Sequence, residues 1–506
     1  MPLSLGFTFD TPGTYVSENT FGAIPASIAS FNAVYMLGYS SKAGAPVNIP
    51  TFVQSVDDFT NIFGTSLSVN SVKLFFDQRS GSGLYFINVA PKASYTITVP
   101  TATVGATYTL TVDSYPISYI AITGDTPALI VTKLANLVNT TAAHIAQVVN
   151  GVLRVSTGTT ATASANITLG ALSAAAAYPT LGDVVTSLNT SLDHDLKQGF
   201  LIAPEFFQSF TNGADRTGLA KAMEALCQDV DYQWFAIADC GPTTATQTTG
   251  AGAVNLAIAE AGALSSAKGH LAYYFPYWFN FQNQLVPASA SVVGVALRRY
   301  RQQGYRQPAA GTQFPVYGVL DTSINLTDKL QAQLNPRNIN CLRKLSSNRG
   351  TVIYGARTVS ADPNYRYMAT RIIMNVLNGT LDKAFDSVVL SSVDGQGVVF
   401  AIIKQTCMDV CETMRAAGAL FGATPDAAYL VICDVTNNSP ADLEAGKVSA
   451  DIVVKPSPTL EFLHIRTTRA NIGANLAEFA NSGDTSTILD ATALTLTANS
   501  TSPKAE

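Results

Sequence analysis

Runs of apolar residues alternate with amphipathic segments along much of the chain. Short continuous apolar runs bounded by turn residues are typical of buried strands. The clearest of them are Ala33–Gly38, Leu84–Val89, Trp234–Asp239 and Leu271–Phe275. Helical patterns fall between these runs, for example over residues 217–227. This rhythm predicts a parallel or mixed sheet with helices on its faces, formed by residues 23–91 and 198–334 as a discontinuous middle domain.

Residues 92–197 interrupt the rhythm with a composition dominated by Thr, Ala, Ser and Val. Alternating segments near 95–99, 106–112 and 117–122 predict strands, and 126–140 predicts a helix. A long loop is the alternative, but so long a segment without structure is rare inside a compact domain. We therefore predict a small inserted α+β/β module.

Residues 335–470 form a predicted C-terminal α/β domain. Its predicted helices cover about 365–385 and 405–417, and its predicted strands cover 352–356, 429–432, 448–454 and 461–466. The fold class is thus α/β and α+β, with several domains. Residues 1–22 and 471–506 form two arms: the first contains extended pieces around Pro12-Gly13, and the second alternates over 491–497. A terminal strand has unpaired backbone groups and needs a sheet edge, its own or a neighbour's.

Composition bears on assembly. Of the 506 residues, 47% are hydrophobic and 13% are charged, with a net charge of −5. A typical charged fraction is about 25%. Either some surface is buried between subunits, or the core is unusually large. The sequence contains no apolar stretch long enough to span a membrane, and no secretory signal pattern, so we expect neither. The acidic balance argues against direct nucleic-acid binding.

Candidate chemistry is sparse. The six cysteines are scattered, which favours buried free thiols over a disulfide framework. Cys407 and Cys411 lie one helical turn apart, but no further ligand is near in sequence, so packing is favoured over a zinc site. The Asp193–Asp195 segment has two carboxylates around a histidine, yet a solvated turn is the better interpretation. No phosphate-binding loop or nucleophile elbow occurs. We expect no enzyme activity, metal or cofactor. None of the four histidines has another histidine or cysteine at metal-ligand spacing in the sequence, so we expect ordinary surface or interior residues. They are His144, His194, His270 and His464.

Four arginines lie close together in a chain that is otherwise poor in charge. They are Arg349, Arg357, Arg366 and Arg371, of which the last two are predicted on one helix. Arginine forms bidentate pairs with carboxylates and is enriched at interfaces. Ion pairs between subunits are the preferred hypothesis, and pairs within the domain are the alternative.

Several ordered segments resemble the sheath proteins of contractile phage tails and related tail-like particles. Each motif is short, but together they follow the family's order over most of the chain outside 92–197. They are Pro12–Glu18, Phe63-Gly64, Leu84–Val89, Tyr273–Tyr277, Pro287–Val295, Leu334–Asn340, Arg349–Thr358, Tyr365–Tyr367, Arg371, Cys433–Asn438, Gly446-Lys447 and Glu461-Phe462.

The resemblance implies a structural subunit of a virion tail, assembled in the host cytoplasm. Such subunits stack as six-subunit rings, or an equivalent helix, around a tail tube protein. They also meet baseplate and tail terminator proteins, without direct nucleic-acid contact or stable membrane insertion. Contraction then drives the tube through the target cell envelope.

The resemblance also implies that terminal strands complete the C-terminal-domain sheet of neighbouring subunits, and that the inserted module points outward. The candidate arm residues are Pro12, Gly13, Tyr15, Val16, Glu18, Leu494 and Leu496. Two other classes stay open: another self-assembling shell protein, and an enzyme with an undetected site.

Overall fold

The computed structural model describes residues 27–465, 467 and 469, with internal gaps. The gaps are 41, 43, 90–93, 113–114, 142–144, 150–151, 157–160, 171–178, 194–195, 230–231, 243–249, 346–349, 387–388, 390–392 and 394–396. The chain divides into two units, Met1–Thr459 and Leu460–Glu506. In the second unit the described residues form neither helix nor strand. The predicted strand at 461–466 is therefore wrong over 461–465.

The strands of the first unit are short, and most follow the predicted apolar runs. In chain order they are β1 (Ala33–Gly38), β2 (Thr51–Val53), β3 (Leu84–Asn88), β4 (Ser94–Thr98), β5 (Thr107–Val112), β6 (Tyr115–Ile120), β7 (Ile145–Val149), β8 (Val152–Ser156), β9 (Ala161–Ala163), β10 (Thr168–Leu169), β11 (Gly199–Ile202), β12 (Phe235–Asp239), β13 (Leu271–Phe275), β14 (Trp278–Asn280), β15 (Leu285–Val286), β16 (Val319–Thr322), β17 (Ile339–Lys344), β18 (Thr351–Tyr354), β19 (Tyr429–Ile432) and β20 (Asp451–Val454).

The helices fall between these strands. They are α1 (Val56–Phe63), α2 (Ser68–Asp77), α3 (Pro127–Thr141), α4 (Leu181–Ser191), α5 (Pro204–Ser209), α6 (Gly213–Gln228), α7 (Gly250–Gly262), α8 (Ser289–Gln303), α9 (Asp328–Leu334), α10 (Met368–Phe385), α11 (Val398–Ala416), α12 (Pro425–Ala428) and α13 (Pro440–Glu444). Short 3₁₀ turns occur at Asn335–Arg337 and Pro363–Tyr365. None of the helices in the described residues is long and apolar enough to span a membrane.

The main sheet has the strand order β18-β17-β13-β12-β11-β1-β3-β2. Its central strands run parallel, and β2 and β18 are antiparallel at the two edges. Each central strand is buried on both faces, which explains its continuous apolar run. In β1, Tyr35 and Leu37 face one core, and Val34 and Met36 face the other. The alternation of side chains across the sheet thus separates two helix-covered cores.

This sheet is continuous across the predicted domain boundary at residue 335. Ile339 of β17 pairs with Tyr273 of β13, and β18 then pairs with β17. These two strands were predicted to belong to the C-terminal domain, but they complete the middle-domain sheet instead. Strand pairing across such a distance in sequence leaves no local pattern.

The inserted module has a core of its own. Strands β4–β10 form two small sheets, and α3 packs against them through Ile130, Leu134 and Val138. The helix α4, predicted as part of the module, lies outside it: Val184 and Leu188 join a core of the main sheet. A buried ion pair between Arg154 on β8 and Asp183 on α4, at 3.3 Å, links the module to the main body.

The C-terminal segment packs on the main body through α10. One side of this helix, with Ile372 and Val376, joins a core of the main sheet. The other side, with Ile373 and Leu377, packs with Met414 of α11. Helix α10 is therefore shared by the main body and the segment that carries β19 and β20.

Candidate assembly surfaces

Strands β19 and β20 form a two-stranded antiparallel sheet near the end of the first unit. Val431 pairs with Ile452, and their side chains pack towards α11 in a small core with Cys407. Leu430 pairs with Val453 on the opposite face, where the two side chains are 55% and 59% exposed. We refer to this sheet of β19 and β20 as the hairpin, although the connection between its strands contains α13. It has one buried face and one apolar face open to solvent.

Both outer edges of this hairpin lack a partner strand within the described part of the chain. Before β19 and after β20 the backbone pairs once more: Phe421 N donates to Lys455 O at 2.7 Å, and Ser457 N donates to Ala419 O at 2.8 Å. A two-stranded sheet is marginally stable alone, and unpaired edges readily accept another strand. The backbone groups at these outer edges are therefore open to further strand pairing.

Asparagines close the connection between β19 and β20. Asn437 Nδ2 donates to Ile432 O at 3.0 Å and to Asp451 Oδ2 at 3.0 Å. Asn438 is buried; its Nδ2 donates to Ser449 O at 2.9 Å, and its Oδ1 accepts from Ser449 N at 2.6 Å. Asp434 accepts from Thr436 N and Oγ1, and these bonds lower the pKa of its carboxyl group. The Cys433–Asn438 motif is thus the clamp that holds the hairpin closed.

The structure separates the candidate arginines. Arg357 and Arg371 are buried in the fold of the single chain, which favours contacts within the domain for both. Arg366 is exposed, so it stays a candidate for an intersubunit ion pair. Arg349 lies outside the described residues.

Arg366 and Arg371 do not share a helix as predicted. Tyr367 has extended backbone and forms an antiparallel bridge with Arg357, and Thr358 N donates to Arg366 O at 2.8 Å. Helix α10 therefore begins at Met368, after this bridge. The 3₁₀ turn Pro363–Tyr365 precedes the bridge and is an element separate from α10.

Arg371 anchors α10 to the main sheet through a buried network. Its Nε donates to Asn375 Oδ1 at 2.8 Å, and its guanidinium lies 5.3 Å from the ring of Tyr365. Asn375 Nδ2 donates to Trp234 O at 3.1 Å, an oxygen that also lies 2.8 Å from His270 Nδ1. Burial lowers the pKa of Arg371 to about 10. These contacts place Arg371 as a structural residue.

A polar cluster at the carboxyl ends of β12 and β13 is the strongest described alternative for a chemical site. Arg216 forms a buried ion pair with Glu260, whose Oε2 accepts from Tyr273 OH at 2.8 Å and from Gly241 N at 3.0 Å. Nearby, Asp239 accepts from Ser289 N at 2.8 Å. The cleft between these side chains has no room for a water molecule. The side chains fill the cleft and stabilise the carboxyl ends of β12 and β13.

The positions of the six cysteines fit a role in packing. All six are free and buried, as predicted. Cys407 and Cys411 pack into neighbouring small cores between α11 and the hairpin. Burial raises the pKa of the Cys407 thiol to about 11, so it stays protonated at neutral pH. No cluster of metal-binding side chains occurs among the described residues.

The predicted arm residues, Pro12 to Glu18 and Leu494 with Leu496, lie outside the described residues. The exposed pair Leu430 and Val453 was missed by the sequence analysis. The run Tyr429–Ile432 is apolar throughout and therefore predicts a strand buried on both faces. The exposure of Leu430 within it follows from the sheet having a single packing partner.

No protein-family model and no curated protein matches the sequence. Solved structures do match. The chain is similar to the contracted sheath complex of the extracellular contractile injection system PVC, with 17% identity, a TM-score of 0.57, and coverage of 92% of this chain and 99% of that one.

It is similar also to the contracted helical sheath of the anti-feeding prophage, with 17% identity and a TM-score of 0.56. A chain of the six-fold symmetrised anti-feeding prophage baseplate matches with 17% identity and a TM-score of 0.55. Each of these two matches covers 92% of this chain and 100% of the other. Over nearly its whole length, the chain therefore has the fold of the sheath chains of contractile injection systems.

Proposed function

We propose that this chain is the structural subunit of a contractile sheath. Copies polymerise as stacked six-subunit rings, or an equivalent helix, around a tail tube and contract to drive it through a target cell envelope. The observation that carries the proposal is the fold match over 92% of the chain to sheath chains, two of them in contracted assemblies. The six-fold symmetry belongs to one of the matched assemblies and supports the ring size.

The proposed movement needs no nucleotide. Two packings of the same subunits differ in free energy, and that difference is stored at assembly and released on contraction. The tail tube, baseplate and tail terminator are the proposed partners besides other copies. The particle is a virion tail or a tail-like particle, assembled in the host cytoplasm.

Subunits that slide past one another must stay tethered, and the hairpin of β19 and β20 supplies a place for the tether. Main-chain hydrogen bonds at its two open edges would hold an added strand whatever its side chains. Leu430 and Val453 offer an apolar surface to whatever covers that face. A head-to-tail contact of this kind repeats indefinitely, which generates a helical tube.

The proposed donors are the terminal arms of neighbouring copies, residues 8–20 and about 485–498. The alternation at Leu494 and Leu496 suits a strand that buries one face. Arg366, exposed beside α10, is the proposed intersubunit ion-pair residue among the described arginines. The inserted module is proposed to point outward, because its separate core lets it vary without disturbing the main sheet.

Electron microscopy of the purified full chain tests the proposal. Long hollow striated tubes are the expected result. Closed particles would indicate a shell protein instead, and a monodisperse monomer at high concentration would count against both. Deletion of residues 1–20 is the companion experiment, and normal tube assembly by the deleted chain would exclude the N-terminal arm as a tether.

A further inference from the structure

Five arginines surround the C-terminal end of α8. They are Arg79, Arg298, Arg299, Arg301 and Arg306; we refer to them as the arginine cluster. Arg298 is buried and donates to Gln78 O at 3.2 Å, with its guanidinium 4.4 Å from the ring of Tyr317. Arg299 donates to Pro308 O at 2.8 Å and to Ala310 O at 2.6 Å. These two arginines fix the loops around the helix end.

Two of the other three members present their charge to solvent, and Arg306 is half-buried. Arg79 and Arg301 are exposed, and Arg301 Nη2 donates to Arg79 O at 3.3 Å. The guanidinium of Arg301 lies so close to Gly81 that any side chain there would collide with it. The hydrogen bond therefore holds the loop that carries Arg79 against the end of α8, beside the guanidinium of Arg301.

No described carboxylate forms an ion pair with any arginine of the cluster. Asp77 is near enough for the charge of Arg79 to lower the pKa of its carboxyl group, although burial raises that pKa overall. Burial and the like charge of Arg79 both lower the pKa of Arg298. Positive charge is thus concentrated here, and the nearby carboxyl group of Asp77 offsets part of it without forming an ion pair.

Charge is also segregated along the chain. Residues 298–371 contain twelve basic and three acidic residues, whereas residues 372–465 contain five basic and eleven acidic ones. Within the second segment, exposed carboxylates surround the hairpin of β19 and β20. The acidic surface is defined as Asp426, Asp442, Glu444 and Asp451. Lys447 and Lys455 are the basic residues on the same stretch.

We propose that the arginine cluster of one copy binds the acidic surface of a second copy, and that this contact sets the direction of head-to-tail assembly. The inference rests on the proposed self-assembly and adds a partner surface to it. Complementary charge orients an encounter and penalises wrong pairings, where like charges would meet. Where each contact joins the cluster of one copy to the acidic surface of the next without a two-fold axis, the contact is heterologous and propagates, as the proposed head-to-tail assembly requires.

The cluster also borders the segment that carries the hairpin. The guanidinium of Arg306 lies against Gly418, at the C-terminal end of α11, and Ser457 Oγ donates to Gly418 O at 2.8 Å. A second copy docked on the cluster would thus lie beside the proposed strand acceptor. Charge recognition and strand addition would then act at neighbouring places.

The test uses the full chain with Arg79→Glu and Arg301→Glu together. The critical concentration for assembly at about 0.1 M salt should rise about tenfold or more, and the difference should shrink at about 1 M salt, where charges are screened. The reciprocal variant, Asp426→Lys with Glu444→Lys, should lose assembly alone and regain it when mixed with the arginine variant. Neither carboxylate takes part in a helix cap.

The matched control is Lys329→Glu with Arg337→Glu. These exposed residues belong to the same basic segment, but α9 packs on the opposite face of the main sheet from α8. The control should assemble like the unaltered chain. Arg79→Gln with Arg301→Gln serves where charge reversal prevents folding, as judged by thermal unfolding.

If the arginine variant assembles like the unaltered chain, or the control loses assembly equally, the inference is overturned. Failure of the two reciprocal variants to assemble when mixed would overturn the assignment of the acidic surface. These outcomes differ from failure of the proposed function, in which the unaltered chain itself does not assemble.

Discussion

Leu430 and Val453 lie directly opposite each other on the two strands of an antiparallel hairpin, and both side chains are more than half exposed. The next pair, Val431 and Ile452, points the other way and packs towards α11. Among the described residues no strand pairs with the outer edges of this sheet, and an apolar cross-strand pair on its open face is a feature that assembly would bury.

The first prediction concerns this pair. Leu430→Ser with Val453→Ser should leave the stability of the monomer within about 0.5 kcal/mol, because exposed positions contribute little. Assembly should weaken strongly, as measured by sedimentation and electron microscopy. The control, Val104→Ser with Ile120→Ser, removes equally exposed apolar side chains from the inserted module. Equal loss of assembly in the control would contradict a specific role for the hairpin.

The second prediction concerns the clamp. Asn438→Ala removes an amide that makes hydrogen bonds in both directions to Ser449. Because Ser449 is exposed, water replaces part of this pairing, and each lost hydrogen bond costs about 0.5–1.5 kcal/mol. Amides of β19 and β20 should exchange with deuterium faster, while those of β1 and β12 stay protected. The exposed Asn325→Ala is the control, and unchanged exchange in the hairpin of Asn438→Ala would refute the clamp.

The third prediction separates two candidate arginines. Arg371→Ala should destabilise the monomer by about 1–3 kcal/mol, because the buried Oδ1 of Asn375 loses its hydrogen-bond donor. Arg366→Ala should leave monomer stability unchanged and weaken assembly if it forms the proposed ion pair. Chemical denaturation measures the first effect and sedimentation the second. A stable Arg371→Ala monomer that fails to assemble would move Arg371 to the interface.

The positions of these arginines show which features of the fold the sequence patterns do not predict. The apolar run Ala33–Gly38 predicts β1 to the residue, because a parallel strand buried on both faces needs that run. The burial of Arg371 depends on a carbonyl oxygen of Trp234, far away in sequence. Likewise, α10 begins late because Tyr367 bridges to Arg357. Contacts between residues that lie apart in sequence do not produce a periodic hydrophobic pattern, so the sequence alone does not predict them.

The fourth prediction concerns His270, whose ring is buried. Burial, followed by the charges of Arg371 and Lys268, lowers its pKa from 6.5 to about 4, against the hydrogen bond to Trp234. The unfolded chain therefore binds this proton first as the pH falls. His270 should contribute a loss of stability between about pH 6.5 and pH 4, of up to about 1.4 kcal/mol per pH unit. Chemical denaturation across this range, compared with His270→Gln, measures it.

The fifth prediction concerns Asp239, which acts in the opposite sense. Burial raises its pKa from 3.8 to about 7, although hydrogen bonds from Ser289 and Ala288 oppose the shift. The folded state holds this proton more tightly, so the contribution of Asp239 to stability falls as the pH rises from about 4 to 7.

The two contributions overlap and partly cancel between about pH 4 and pH 6.5. Asp239→Asn should therefore reveal the rise of stability with pH due to His270, and His270→Gln should reveal the fall due to Asp239. Identical pH profiles for the two variants would contradict both assignments.

The most direct measurement is a cryo-electron-microscopy reconstruction of the assembled full chain. The proposal predicts a hollow cylinder in which strands from neighbouring copies pair with the outer edges of β19 and β20, so that each hairpin becomes the centre of a larger sheet. A cylinder or shell in which both edges stay without a partner strand would contradict assembly by strand addition.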